Sequence, residues 1–515
     1  MTGIDIALCG LYLVVTLFIG ALVGRRQHST EDYFLAGRGM RWWPVAISLF
    51  ASLFSAISYI AMPAEAYNFG CTMLVCGLVS VLALPVMLFV FLKFFHSLRL
   101  FTINEYLERR FSVTIRLINS LFFMCVRLTY LGVVLYATAM LLDRALGWPA
   151  WLSIVVVGIF CTLYTCMGGM EAVVWTDVMQ FFVLLGGVLL IIGAIAWEMP
   201  GGIAGIWQFA AERGHGFELG PDSGFWNFDQ RGRINVWPLL LGLPGAFIGP
   251  ATDQINLQRC MSCSKFSDVT RAVMANTILN LPICFVFYFA GLAILAFFKS
   301  LHPELDTGLH GDLAFCQFIT NHLPMGLRGV LAAGVLAAVM STVDSVENSL
   351  SAVFVKDIYG RVIRPGRDET HYLKVAKVTT AVIGISTCLF GLSVLLIFQG
   401  RDIPLLEVSN VCLGVLGSFS SGIFVLGLLS VRVTPKAMLI GILGAIPFAC
   451  YFTVFRYILP PPSERIGFMY LGLWISIPEL LIAYLASFFC HDNPPDHYRY
   501  VIWSRWFRQR DTAHA

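Results

Sequence analysis

Residues Gly334–Asp357 read GVLAAVMSTVDSVENSLSAVFVKD and lie inside a mostly apolar chain. Ala337, Ala338, Ser341, Thr342, Ser345 and Ser349 alternate there with two carboxylates, Asp344 and Glu347. A bilayer-embedded helix has no reason to carry hydroxyls and acids unless they face protein, water or an ion. Residues at i, i+3, i+4 and i+7 share one helical face, and hard oxygen ligands suit a small hard cation. The stretch therefore predicts a membrane helix that handles an ion.

The rest of the chain supports that setting. Its 515 residues are 58% hydrophobic and only 13% charged, with a mean hydropathy of +0.77. Soluble proteins carry about 25% charged residues, so this is an all-α polytopic membrane protein whose surroundings are the lipid bilayer. A net charge of +3 is too small to suggest nucleic acid, and no nucleic-acid partner is expected. The 14 cysteines lie mostly alone in apolar runs, which reads as small buried residues and not as a disulfide framework. Cys260 and Cys263 have no second pair or nearby His that would make a metal site. No H-E-x-x-H or G-x-S-x-G motif is present, so an enzyme is not expected.

Each span needs about 20 apolar residues. That rule gives thirteen: 5–24, 42–67, 72–97, 115–142, 149–168, 172–197, 236–252, 270–298, 325–355, 374–399, 404–430, 435–455 and 468–490. The first has no basic stretch before it and reads as a retained span. Lys and Arg concentrate on one set of loops: 25–41, 98–116, 259–271 and 356–374, together with the C-terminal tail. The positive-inside rule makes those loops cytoplasmic, the N-terminus external and the C-terminus cytoplasmic. Trp42, Trp43, Trp148, Trp151, Trp197 and Trp237 sit at span ends, as an interfacial belt requires. The tail 491–515 is too short for a signalling domain, so a transporter-like sensor is not expected.

Two spans look interrupted. The seventh carries Gly242, Pro244, Gly245, Gly249 and Pro250; the second carries Ser52, Ser55, Ser58 and Pro63. They are five spans apart, and broken helices in corresponding positions of two halves predict an inverted-repeat transporter with its site at the midplane. Candidates for the cavity on these spans are Ser55, Ser58, Tyr59 and Phe247, with Cys76, Asn410, Ser418 and Ser420 nearby. Asp253 and Gln254 follow the seventh span as a cap or gate, and 105–111 reads as an amphipathic cytoplasmic helix.

Several segments resemble the sodium:solute symporter family: EDYFLAGR at 31–38, PAEAY at 63–67, INEYLERRF at 103–111, MGGMEAVVWTDVMQ at 167–180, TDQINLQRC at 252–260 and MSTVDS at 340–345. LGVVLYATAMLL at 131–142, with PAEAY, resembles the branch that carries iodide, vitamins and monocarboxylates. The resemblance implies a LeuT-like fold of ten core helices in two inverted repeats. It makes 1–515 one transport domain: a peripheral helix at 5–24, repeats at 42–197 and 236–430, peripheral helices in 435–490 and a tail at 491–515. It implies Na⁺ between the second and ninth spans, held by the backbone carbonyls of Ala51, Phe54 and Ala338 and the hydroxyls of Ser341 and Thr342. The residue-level alternative is that both hydroxyls bond back to their own helix. A second sodium, found in some members, would use Asp177, Ser341, Asp344 and Ser345; Asp344 stands where some members have a hydroxyl, and it either strengthens cation binding or pairs with a distant Lys or Arg.

Arg127 lies in the middle of the fourth span. Some sialic-acid members of that family carry an arginine on this helix that holds the substrate carboxylate, whereas the iodide and monocarboxylate members generally lack it. Its other readings are a salt bridge with Asp344, Asp177 or Glu65, or snorkelling to a span end. The implied function is a sodium-coupled symporter in the plasma (inner) membrane that imports a small organic solute, a carboxylate such as a sialic acid or monocarboxylate. The alternatives are a sugar or other neutral solute, or a proton-coupled carrier of the same fold.

Overall fold

A computed structural model describes residues 3–24, 27–229, 235–305, 308, 310–324, 326–398, 405–460, 464–490 and 499–502. All regular elements among them are helices. Eight are long and apolar enough to cross a bilayer, or nine when one bent pair is taken as a single span. Thirteen spans therefore remain an expectation, since a test of length and apolarity does not return them.

α1 (Gly3–Gly24) is followed by α2 (Trp42–Leu53) and α3 (Ala56–Phe69), which meet at 66°. The chain leaves helical geometry at Phe54 (φ −97, ψ 88), and the Ser55 side chain caps α3 by accepting the Ser58 amide. Such a cap supplies a partner at a helix start and makes the break affordable there. α4 (Thr72–Ser97) leads to the short α5 (Asn104–Arg110), on the segment expected to be an amphipathic helix, and to α6 (Val113–Leu146).

α7 (Ala150–Glu198) has 49 residues, more than twice what one crossing needs. It is kinked at Gly169 (φ 55, ψ −150), where a Cβ would run into the Tyr33 carbonyl oxygen. Only glycine combines that backbone with that approach. The sequence places the boundary between its fifth and sixth spans at the same point.

α8 (Val236–Thr252) and α9 (Gln254–Met261) form the second broken helix. The break is at Asp253 (φ −74, ψ 124), after the glycines and prolines at 242–250 and not among them. The reason is capping: Asp253 Oδ1 accepts the amides of Ile255 and Asn256 at 2.9 and 3.3 Å. A carboxylate that satisfies the first amides of α9 fixes the turn more firmly than proline alone.

α10 (Phe266–Ala296), α11 (Leu327–Val353), α12 (Glu369–Phe398), α13 (Leu405–Leu429), α14 (Pro435–Cys450) and α15 (Phe468–Ala486) complete the bundle. α11 is the central rod: every residue from Leu331 to Val353 is buried. It packs against both legs of α7 and against α1, α2, α3, α6, α9 and α12. Its start is held by Asp5 of α1, whose Oδ1 accepts the Gly326 and Gly329 amides at 2.9 and 3.0 Å.

Three arginines assigned to cytoplasmic loops are in fact buried. Arg110 and Arg259 are fully covered and Arg116 nearly so. Arg116 joins Asp357 at 2.6 Å, and Asp357 also accepts from Thr102, Asn104 and Ser120 at 2.6 to 2.9 Å. Polar atoms left unpaired in a low-dielectric interior are costly, so buried charges are drawn to partners. The exposed Arg361, bonded to Glu108 at 2.6 Å, still suits an aqueous face.

Candidate functional site

α11 packs against both α2 and α3, the two halves of the first broken helix. Ala51, Phe54, Ala338, Ser341 and Thr342 are all buried. The Phe54 amide is shared between the Phe50 and Ala51 carbonyls at 3.2 Å each. Beyond them the last carbonyls of α2 have lost their helical donors. On α11 the Ser341 and Thr342 hydroxyls both donate to the Ala338 carbonyl, at 3.1 and 3.2 Å. The bond back to the helix expected as the alternative is therefore present. It spends the hydroxyl proton and leaves the oxygen lone pairs free, so it fixes the direction in which each oxygen can face a cation.

One turn further on, the residues named for a second ion are drawn into another network. Asp177, Ser345 and Asp344 are fully buried. Asp177 Oδ2 accepts from Ser48 Oγ at 2.5 Å and from the Arg259 guanidinium at 3.1 Å. Arg259 also donates to Ser48 Oγ at 2.7 Å and to Ser345 Oγ at 2.5 Å. Ser345 gives its own proton to the Ser341 carbonyl at 2.5 Å, with Asp344 Oδ1 at 3.1 Å as a second acceptor. Asp344 Oδ2 accepts from the Tyr164 hydroxyl at 2.5 Å. Four elements thus converge on one guanidinium: α2 through Ser48, the second leg of α7 through Asp177, α9 through Arg259 itself and α11 through Ser345.

Arg127 pairs with Asp253, and not with Asp344, Asp177 or Glu65 as its structural readings proposed. The break at Asp253 explains this: Oδ1 caps α9, and Oδ2 is free to accept from Arg127. The two side chains are 13% and 21% exposed, so the pair stands at the margin of the packed core. Ser55 is buried as the cap of α3, and Ser58 is half-buried. Tyr59 is fully buried; its ring lies edge-on to Phe287 and Phe315, and its hydroxyl approaches Gly187 and Gly334, so it is set in the packing between α7 and α11. Phe247 is half-buried against the apolar cluster around α4 and α13. Ser418 hydrogen-bonds the Gly414 carbonyl of its own helix. The side chain of Asn410 falls outside the described residues. Gln254 Oε1 accepts the Ile103 amide at 2.8 Å and ties the second broken helix to the start of α5.

Sequence reasoning missed Arg259, Ser48, Tyr164 and the role of Asp253 as partner to Arg127. Arg259 stands inside the TDQINLQRC segment, and an arginine one helical turn beyond a run of polar residues was the signal available.

Two broken helices, placed five spans apart beside a buried hydroxyl-bearing rod, define an ion-coupled transporter of the LeuT-like class. A model of the sodium:solute symporter family matches residues 33–444, and the chain belongs to that family. It is 29% identical over 436 residues to the sodium/sialic acid symporter SiaT of Proteus mirabilis, covering 84% of this chain and 86% of that one. It is 29% identical over 492 residues to a sodium/glucose cotransporter of Vibrio parahaemolyticus, covering 89% and 87%. The fold superposes on a Na⁺-coupled sialic acid symporter in its substrate-bound outward-open state with a TM-score of 0.85 at 26% identity, covering 95% of this chain and 98% of that one.

Proposed function

We propose that this chain is a symporter that uses the inward Na⁺ gradient to import a small organic carboxylate, of the sialic acid or monocarboxylate kind, across the plasma (inner) membrane. The observation that carries the ion half is the break at Phe54–Ser55 in a helix pair that packs against α11, where the Ser341 and Thr342 hydroxyls are already oriented by the Ala338 carbonyl. Na⁺ takes about five or six oxygens, and Ala51, Phe54, Ala338, Ser341 and Thr342 supply five. The cargo half rests on Arg127. A guanidinium can hold a carboxylate through two parallel hydrogen bonds, and an incoming carboxylate would compete with Asp253 for it. Exchange of one carboxylate for another at Arg127 would loosen the tie between α6 and the break of the second broken helix. The reading keeps thirteen spans, an external N-terminus and a cytoplasmic C-terminus.

A tenfold sodium gradient is worth about 1.4 kcal/mol, and 100 mV adds about 2.3 kcal/mol per charge. One Na⁺ moving with one monovalent anion cancels the electrical part and leaves about 1.4 kcal/mol, roughly tenfold accumulation.

The test is uptake of labelled N-acetylneuraminate into proteoliposomes under an inward Na⁺ gradient, with pyruvate and glucose as competitors. Uptake should collapse when choline replaces Na⁺ and persist when the proton gradient is dissipated. Uptake that survives choline and follows pH instead would replace the sodium reading by a proton-coupled one. A second cargo reading is a neutral solute: Arg127 is already neutralised by Asp253, and a relative is a glucose cotransporter. Competition by glucose and not by either acid would establish it.

A further inference from the structure

A cavity of about 110 Å³ lies outside the ion site, walled by α1, α6, α7 and α11. Its side chains are apolar or aromatic except for Cys9 and Ser153. The Cys9 thiol is committed, since it donates to the Gly329 carbonyl at 3.6 Å. The Ser153 hydroxyl is not: it is 1% exposed and has no hydrogen-bond partner among the described residues. Orphaned buried hydroxyls are uncommon in native proteins. Water is a poor occupant, because an ordered water needs two to four polar partners and this wall offers one buried free hydroxyl. An apolar cavity of about 150 Å³ takes benzene. The space therefore suits a ligand that is mostly carbon and carries a single hydrogen-bonding group. Its setting fixes the ligand's route. Ile6, on the wall, is 51% exposed, and a Cβ at Gly10, one turn on, would meet nothing within 4 Å. The cavity thus opens along α1, where Leu11, Val14 and Phe18 are also exposed, so it is continuous with the lipid-facing surface. The direction is fixed as well. Ser153 lies in the first turn of α7, just after Trp148, at the level of the interfacial belt. Leu13 and Leu336 line the cavity from farther inside, roughly 15 and 13 Å along their helices from the starts of α1 and α11.

We propose that this cavity is a binding site for a neutral single-chain alcohol drawn from the bilayer, with Ser153 holding its hydroxyl and its alkyl chain lying between α1 and the central rod. Such a ligand keeps the orientation of any membrane amphiphile, with its polar end near the interface and its tail toward the bilayer centre. Its tail touches Leu336, two residues before Ala338 on α11.

Photolabelling of the full-length protein in liposomes with 3-azioctanol, read out by mass spectrometry of its peptides, tests this. Adducts should concentrate at residues 6–13 and 153–157. Excess octan-1-ol should suppress them and leave untouched any adducts on exposed residues elsewhere, such as Leu443 and Leu481. Octane at the same concentration in the membrane lacks the hydroxyl and should compete roughly fivefold less well. Ser153→Ala should erase that difference. Gly10→Leu, which fills the opening where a Cβ has room, should remove the saturable adducts. Adducts no denser at 6–13 and 153–157 than on the rest of the lipid-facing surface would overturn the proposal, as would saturable labelling that persists unchanged in a folded Gly10→Leu protein. Equal competition by octane and octan-1-ol on the wild type would overturn it too, because the cavity would then take any alkyl chain and Ser153 would hold nothing. Should Gly10→Leu fail to fold, the competition on the wild type still decides.

Discussion

Replacing Thr342 by alanine should weaken sodium binding by about an order of magnitude and leave the fold intact. Thr342 is 1% exposed and its hydroxyl donates to the Ala338 carbonyl at 3.2 Å. Alanine removes one of five proposed oxygen ligands. A neutral group's contact with a full charge contributes about 1.5–3 kcal/mol net. Each 1.4 kcal/mol is about tenfold in affinity. The low end applies, because a water molecule can enter the small space left behind; a roughly tenfold rise in half-saturating sodium is expected. The helix itself should gain slightly, since alanine has the better helix propensity. Ala338 loses only one of its two side-chain donors, because Ser341 still bonds it at 3.1 Å. The assay is thermal unfolding of purified protein over a sodium series, with choline holding ionic strength constant. A ligand that binds only the folded state raises stability by RT ln(1 + [L]/Kd), so the whole curve should move to higher sodium. Ser341→Ala should move it likewise, and Thr342→Ser should restore the wild-type curve. Wild-type sodium dependence in both alanine variants would refute the site.

Arg127→Lys should weaken binding of a carboxylate cargo yet leave the protein folded and sodium-sensitive, because lysine offers a point charge where the guanidinium offers a fork; equal loss of affinity for an acid and its neutral amide in a folded Arg127→Ala protein would remove the carboxylate reading. Asp357→Ala should destabilise the protein by about 3 kcal/mol, the low end for a broken buried ion pair because Arg116 keeps Glu108 at 2.5 Å while Thr102, Asn104 and Ser120 lose their acceptor, measured as a loss of thermal stability that Asp357→Glu does not fully repair. Single cysteines placed in 98–116 and 356–374 in a cysteine-free background should be inaccessible to an impermeant thiol reagent outside intact cells, and labelling of either segment would reverse the proposed orientation.

How much of this molecule could be read from residues alone depends on the distance over which each decision is made. The apolar spans, the kink at Gly169 and the break near Ser55 follow from composition and local backbone chemistry. A run of about 20 apolar residues must hydrogen-bond its own backbone in lipid wherever it lies in the fold. The break in the seventh span was misplaced by a few residues, because glycine and proline mark where a helix can break. The Asp253 cap decided where it does. That is still local chemistry, and the cap could have been found in the sequence.

The destinations of the charged side chains were of another kind. Arg127 reaches a residue 126 positions away, Asp177 one 82 positions away, and Arg116 one 241 positions away. Arg259 reads in the sequence as one more cytoplasmic loop charge; in the structure it is the hub of four elements. The sequence by itself determined an all-helical membrane transporter with a polar, ion-handling rod at Gly334–Asp357, because hydropathy and helical periodicity are properties of a segment. Only the tertiary structure decided which acid meets which base, because inside a low-dielectric core a charge takes whichever partner the packing of distant helices brings within hydrogen-bonding reach.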